Sequence, residues 1–233
     1  MSEQGTREAY AARAEEYAQV LGSVEQMAGT DRRHIEDWAQ RAGAAGTADE
    51  AGIVDDGGGG LVLDLGCGPG HWTAHLAAQG HHVLGIDPVP AFVDHARTVH
   101  PGVEYRLGDV LAPGVEDDSC AGVLAWYCLI HLPPERMQEA LASIGRVLRP
   151  GGALLLGFFD GPRIEPFDHA ITTAHFWPVA ELERLLKDVG FAVSAVEQRT
   201  DPGARPHGSI EARWTPTADS GDRARVKTQD SEG

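Results

Sequence analysis

Basic residues are scarce in this chain, where 19 Lys and Arg face 35 Asp and Glu and give a formal charge of −16. A protein that grips nucleic acid needs a cationic footprint to release counterions from phosphates. DNA and RNA are therefore disfavoured as partners, and an anionic membrane surface is disfavoured on the same ground. Long apolar runs are missing as well, since no stretch approaches the roughly 20 residues that cross a bilayer. Residues 1–10 hold no apolar core of a secretory signal. Cysteine is sparse, and Cys67, Cys120 and Cys128 are an odd set that reads as free thiols. These absences predict a soluble protein in a reducing, cytoplasmic setting.

What the chain does contain suits one globular α/β domain. Its 233 residues are 42% hydrophobic, with 29 Gly and 14 Pro to make tight turns. Over residues 7–27, Tyr10, Ala14, Tyr17, Leu21 and Val24 recur at three- and four-residue steps, one stripe of an amphipathic helix. Residues 31–42 predict a second helix carrying Ile35 and Trp38, with Asp31 as its cap. Residues 44–60 are rich in Gly, Ala and Asp and end in four glycines, which reads as a flexible linker. Short apolar runs then alternate with helical periodicity. Strands are expected over 61–65, 82–86, 103–106, 121–125 and 153–159, and two more over 191–196 and 208–214. Met137, Leu141, Ile144 and Leu148 mark one helix, and Val179, Leu182, Leu186 and Val189 another with Gly190 past its end. Such alternation predicts a doubly wound, mostly parallel sheet. The polar stretch 216–233 reads as a disordered tail.

The chemistry concentrates in Asp64-Leu65-Gly66-Cys67-Gly68-Pro69-Gly70, between the first strand and a helix. Glycines belong there because a side chain would strike a ligand lying against the backbone. A dinucleotide site would place its third glycine one residue later, where His71 stands. Asp64 would also repel a pyrophosphate, whereas it suits a cation or a hydrogen-bond donor such as the ammonium of a methionine moiety.

This segment closely resembles the first motif of class I S-adenosylmethionine-dependent methyltransferases, and further matches follow in order. Gly85-Ile86-Asp87-Pro88 resembles the end of the family's second strand, and Gly108-Asp109-Val110 its third-strand motif. Ala125-Trp126-Tyr127 follows the fourth strand, and Leu148-Arg149-Pro150-Gly151-Gly152 resembles the turn before the fifth. The resemblance implies S-adenosyl-L-methionine as cofactor and a Rossmann-like, doubly wound, seven-stranded α/β fold. An N-terminal helical cap over 1–43 would precede a catalytic domain over 61–215. By analogy, Asp87 binds the ribose hydroxyls, Asp109 accepts from the adenine amino group, and the Val110 N–H meets a ring nitrogen. Gly66, Cys67, Gly68, Gly70, Pro88, Gly108, Ala125 and Trp126 would complete the cofactor site, with Asp64 near the ammonium. Tyr17 is expected to cap the pocket, and Tyr10, seven residues away on the same helix side, either joins it or packs in the core.

Methyl transfer asks the protein mainly to align nucleophile and methyl carbon, with a base where the acceptor carries a proton. His131, just beyond the fourth strand, is the candidate base, against the alternative that it only holds its loop. Tyr127, Asp160 and His169 are the candidate substrate contacts. The last two belong to 158–177, which reads either as a lid or as a solvated insertion. Trp72 is divided between pocket and core. His71 and His75 lie one helical turn apart but have no third ligand, so no metal site is expected. The expected partner is a small-molecule acceptor, with oligomeric state unread. Two other classes share these features: a non-catalytic S-adenosylmethionine-binding regulator, and a nicotinamide-dependent oxidoreductase that the glycine spacing and Asp109 disfavour.

Overall fold

The computed structural model describes residues 3–44 and 59–216. The expected linker therefore falls almost wholly, and the expected tail all but its first residue, outside the described residues. All seven expected strands are present: β1 Leu61–Leu65, β2 Val83–Asp87, β3 Glu104–Leu107, β4 Cys120–Trp126, β5 Leu148–Asp160, β8 Phe191–Arg199 and β9 His207–Trp214. Two more, β6 Glu165–Asp168 and β7 Thr173–Trp177, make the sheet nine-stranded. β3, β2, β1, β4 and β5 run parallel in that order, and antiparallel β9 and β8 extend the far edge.

Alternation along the strands feeds two apolar layers. Val62, Leu124 and Leu155 face one side, where α3 Gly29–Ala44 and α4 His71–Ala78 bring Ile35, Trp38, Trp72 and Leu76. Leu63, Val123 and Leu154 face the other side, covered by α6 Met137–Val147 and α7 Val179–Val189. α5 Pro90–Val99 packs on β2 and β3, with Val93 and Ala96 against Tyr105. Gly122 lets α3 approach, since a Cβ there would lie 3.0 Å from the Ala42 Cβ and 3.2 Å from Trp38.

The N-terminal region divides differently from the expected cap. α3 is a layer of the fold, with Ile35, Trp38, Ala39 and Ala42 buried against the sheet. It begins at Gly29, so Asp31 is not its cap but a first-turn residue whose carboxylate pairs with Arg199. The single helix expected over 7–27 is broken into α1 Glu3–Ala12 and α2 Ala14–Leu21, followed by a short turn at Val24–Gln26. The break falls at Arg13, whose guanidinium is held by Glu16 and the Ala170 carbonyl, a tertiary contact that periodicity does not encode.

The segment 158–177, expected as a lid or a solvated insertion, has regular structure and brings Phe159 and His169 to the cleft. It is a β-hairpin, with β6 antiparallel to β7 from Glu165↔Phe176 to Asp168↔Thr173. β7 joins β5 at Phe159↔Phe176 and Asp160↔Trp177, just past Trp126↔Gly157, where β4 stops. The other edge of β5 is taken by β9, so the hairpin continues the sheet above the carboxyl end of β4. The His175 N–H donates to the Ile130 carbonyl at 2.9 Å and ties it there.

Candidate functional site

A cleft lies at the carboxyl ends of β1, β2 and β4, where ligands of parallel sheets gather. Its floor is the turn after β1. Gly66, Gly68 and Gly70 adopt φ of +71°, +54° and +86°, backbone that L side chains rarely adopt. A Cβ on Gly66 would sit 2.3 Å from the Cys128 Cβ, so the turn can pack on the β4 loop only as glycine. The Gly68 face is open by contrast, with only the Tyr17 ring near, at 3.9 Å. That opening is a cradle for a ligand lying along the backbone.

Two buried carboxylates frame the turn. Asp87 accepts from the Gly68 N–H at 2.9 Å and the Val89 N–H at 2.8 Å. A carboxylate has about four acceptor positions, so roughly two stay available for ribose hydroxyls. Pro88 lines the cleft between them and has no N–H to compete. Asp64 accepts from the Thr73 hydroxyl at 2.6 Å. Burial raises Asp64 to about 7, opposed by the Thr73 hydroxyl. It raises Asp87 to about 6, opposed by the two backbone donors. Two acids held up by desolvation favour a ligand that brings positive charge or donors.

Asp109 accepts from the Leu111 N–H at 2.9 Å and pairs with Arg7 of α1. With Gly108 and Val110 it lines one end of the hollow, which passes Gly66 and reaches His131. The Gly108 N–H donates to the Asp87 carbonyl at 3.1 Å, which couples the two strand ends. Cys67 is buried behind the turn, its thiol pushed up by desolvation, with no sign of reactivity.

The larger part of the cleft, about 1350 Å³ with its open mouth, runs from Asp87 to Trp126, Tyr127, His131, Phe159 and His169. The Nδ1 of His131 lies 2.8 Å from the Thr173 carbonyl, which can only accept, so Nδ1 carries the proton. Burial lowers His131 to about 4, so the ring is neutral and Nε2 bears a lone pair. That lone pair accepts the Tyr10 hydroxyl at 2.8 Å. Tyr10, Tyr17 and Phe92 meet ring to ring, with centroids 5.4–5.9 Å apart, and close the cleft from α1 and α2.

Tyr127 sits at φ +56°, costly for a tyrosine, in the turn that ends β4. That turn aims its ring into the cleft beside Trp126 and Phe159, with both centroids 5.3 Å away. His169 is 5.1 Å from His131, and its Nδ1 is buried without a partner. Trp72 serves both roles weighed for it, lining the cleft from within the α3–α4 core.

Two expected contacts are not where the motif order put them. Ala125 faces away from the cleft, because strand alternation buries it in the layer under α6. Asp160 is drawn outward by β8, its carboxylate accepting from the Gln198 amide at 2.7 Å. Four other lining residues escaped sequence reading as site members. Arg7 and Phe92 lie on helices far from the glycine motif, Phe159 was read only as strand exit, and Tyr10 was left between core and cap. The seven-residue step from Tyr10 to Tyr17 was the available signal for the last. His71 lines the cleft with its Nδ1 buried and unpartnered, lowered to about 4 by burial. His75 instead pairs with Glu36 at 2.7 Å. Among the described residues no group of three or more His, Cys, Asp or Glu is placed to hold a metal.

The family described as methyltransferase domain matches residues 62–152, the span from β1 to the start of β5. A probable S-adenosylmethionine-dependent methyltransferase of Mycolicibacterium smegmatis is 31% identical over 135 residues, 57% of this chain and 52% of that protein. A malonyl-[acyl-carrier protein] O-methyltransferase of Yersinia pestis is 35% identical over 98 residues, 41% of this chain and 35% of that one. The chain thus spans about half or less of these curated relatives. Among solved structures, a Burkholderia thailandensis 1,6-didemethyltoxoflavin-N1-methyltransferase with S-adenosylhomocysteine bound superposes with a TM-score of 0.63 at 22% identity. It covers 91% of this chain and 88% of its own. At that identity the likeness speaks for the fold. No helix among the described residues is long and apolar enough to cross a membrane.

Proposed function

We propose, from the match of residues 62–152 to the methyltransferase-domain family, that the chain is a class I S-adenosylmethionine-dependent methyltransferase that methylates a small-molecule acceptor, with His131 as base. The observation that carries this reading is the continuity of the cleft. The hollow beside Asp109 and the cleft that holds the Asp87–Gly68 cradle share Arg7, Gly66, Pro88 and His131 as walls.

The cofactor supplies a methyl group on a sulfonium, already activated for displacement. Asp109 would hold its adenine amino group, Asp87 its ribose hydroxyls, and Asp64 with the turn around Gly68 its cationic end. α1 and α2 exclude water, Tyr17 covers Gly68, and Tyr127 with His169 lines the acceptor side. His131 takes the acceptor's proton at Nε2 while the Thr173 carbonyl keeps the ring in place. The acidic charge and the enclosed aromatic walls support a metabolite rather than a nucleic acid. An open acceptor space with a base at its edge favours an enzyme over a purely regulatory binder.

Calorimetry with S-adenosylmethionine and S-adenosylhomocysteine tests the premise, and both should bind with one site per chain. Folded protein that gives no heat with either compound ends this reading.

A further inference from the structure

The side chains around His131 point to the chemical class of the acceptor. Resting on the methyltransferase reading above, we infer that the acceptor is an uncharged, planar, hydroxyl-bearing molecule of the phenol or enol type. Its oxygen would replace the Tyr10 hydroxyl at His131 Nε2.

Charge is the first observation. Of the described residues lining the larger cleft, only Arg7, Asp64 and Asp87 carry formal charge. Arg7 is engaged by Asp109, and the two acids lie at the glycine turn. Among the described residues, the acceptor end formed by Trp126, Tyr127, Ile130, Phe159, His131 and His169 presents neither a cation for a carboxylate or phosphate nor an acid for an ammonium. Asp31, Glu197 and Arg199 line a separate hollow that shares Trp126 and Tyr127, and there Arg199 is already paired with Asp31. Arg205 lies behind this wall, stacked 4.7 Å over Phe167 and donating to the Asp168 carbonyl. An ionic acceptor would shed its hydration there without replacement, which is costly.

Shape is the second. Tyr127 stands between Trp126 and Phe159 at interplanar angles of 83° and 51°, so flat ring faces and edges border the space. A planar π body meets such walls with large contact and little lost side-chain freedom. The third observation is that a phenol oxygen already lies on the base, since the Tyr10 hydroxyl is 2.8 Å from Nε2.

The reaction balances within this site. The acceptor oxygen bonds the methyl carbon while the carbon–sulfur bond breaks and leaves its electron pair on sulfur. The hydroxyl proton passes to His131 Nε2. One positive charge is present before, on sulfonium, and one after, on imidazolium, so the enclosed space gains no net charge.

Naphthol, naphthoate and naphthylmethylamine share a flat frame and differ in charge, so their binding to the S-adenosylhomocysteine-loaded chain separates the classes. Naphthol should bind at least about tenfold more tightly than either ion. Tyr10→Phe, which vacates Nε2, should tighten naphthol about fivefold and leave naphthoate alone, a response that a merely structural tyrosine would not produce. His131→Asn should abolish the preference for naphthol while keeping S-adenosylhomocysteine affinity within about threefold. Naphthoate or the amine matching naphthol overturns the inference, as does failure of naphthol to bind the loaded protein. Failure of S-adenosylhomocysteine itself to bind strikes instead at the methyltransferase reading.

Discussion

The proposed cofactor end of the cleft is folded from short stretches at the ends of β1, β2 and β3, where the Gly66 and Cys67 N–H groups donate to the Ile86 carbonyl and the Gly68 N–H to the Asp87 carboxylate. The acceptor end is assembled from α1, the loop after β4, the end of β5 and the hairpin, with Tyr10 and His131 separated by 121 residues. The first end holds two buried carboxyls and the second two half-buried imidazoles whose protonation desolvation disfavours. Under the proposed function one end would recognise a fixed ligand largely by backbone, and the other would shape a variable one by side chain. Local chain geometry suffices for the first task, whereas the second depends on how distant elements pack.

If the two ends are separable in this way, substitutions should split binding from turnover. The largest effect is expected at His131→Ala, which should lower kcat about a thousandfold and leave S-adenosylhomocysteine affinity within about threefold. Equal losses in both quantities would mean that the ends are one unit. Next in size is Gly66→Ala, which puts a Cβ 2.3 Å from Cys128 at φ +71°. Strain of about 3 kcal/mol in the turn should weaken cofactor binding about a hundredfold, as measured by calorimetry. Unchanged affinity would show that this close packing is dispensable.

The pH response sharpens the same contrast. Asp64 at about 7 and Asp87 at about 6 have to ionise for a cationic, hydroxyl-bearing ligand. S-adenosylmethionine affinity should therefore rise about tenfold from pH 6 to 7.5, with proton release visible across buffers of different ionisation heat. Turnover at saturation should stay flat over that range, because His131 loses its proton already at about 4. A turnover midpoint near 6.5 would show that burial does not hold the ring neutral.

The smallest effect concerns the unliganded protein. His71 and His131, lowered from 6.5 to about 4 in the folded state, contribute stability that is present above 6.5 and lost as pH falls toward 4. Asp64 and Asp87, raised from 3.8, act oppositely: their contribution is present at low pH and lost as pH rises through 6 to 7. These slopes oppose, so Tm should vary by only a few degrees between about pH 4 and 6.5. Asp87→Asn should uncover the histidine slope, with Tm rising with pH, and a flat profile in that variant would count against the assignment.

The legible parts follow this division. The glycine turn and the seven framework strands rest on spacing within a few residues and stand where spacing put them, while Asp87 and Asp109, taken from the resemblance, line the walls of the cleft. The β6–β7 hairpin was not legible, because four residues with a central Pro166 and half-exposed faces carry little strand signal. Its register comes from β5 and Ile130. Asp160 and Ala125 were misplaced for one reason: position just past or within a strand names an edge but not a side. Gln198 on a distant strand draws Asp160 out, and alternation turns Ala125 into the core.

By itself the sequence determined the alternation of strand and helix and the glycine turn with Asp64 at its start, since dihedral demands and apolar periodicity act over short range, and the resemblance added Asp87 and Asp109. Only the tertiary structure decided that α1 would bring Tyr10 to His131, that α3 would be core rather than cap, and that the acceptor space would lack free charge. Those outcomes depend on which side chains from remote segments share one buried volume, and burial there also sets which of them are ionised.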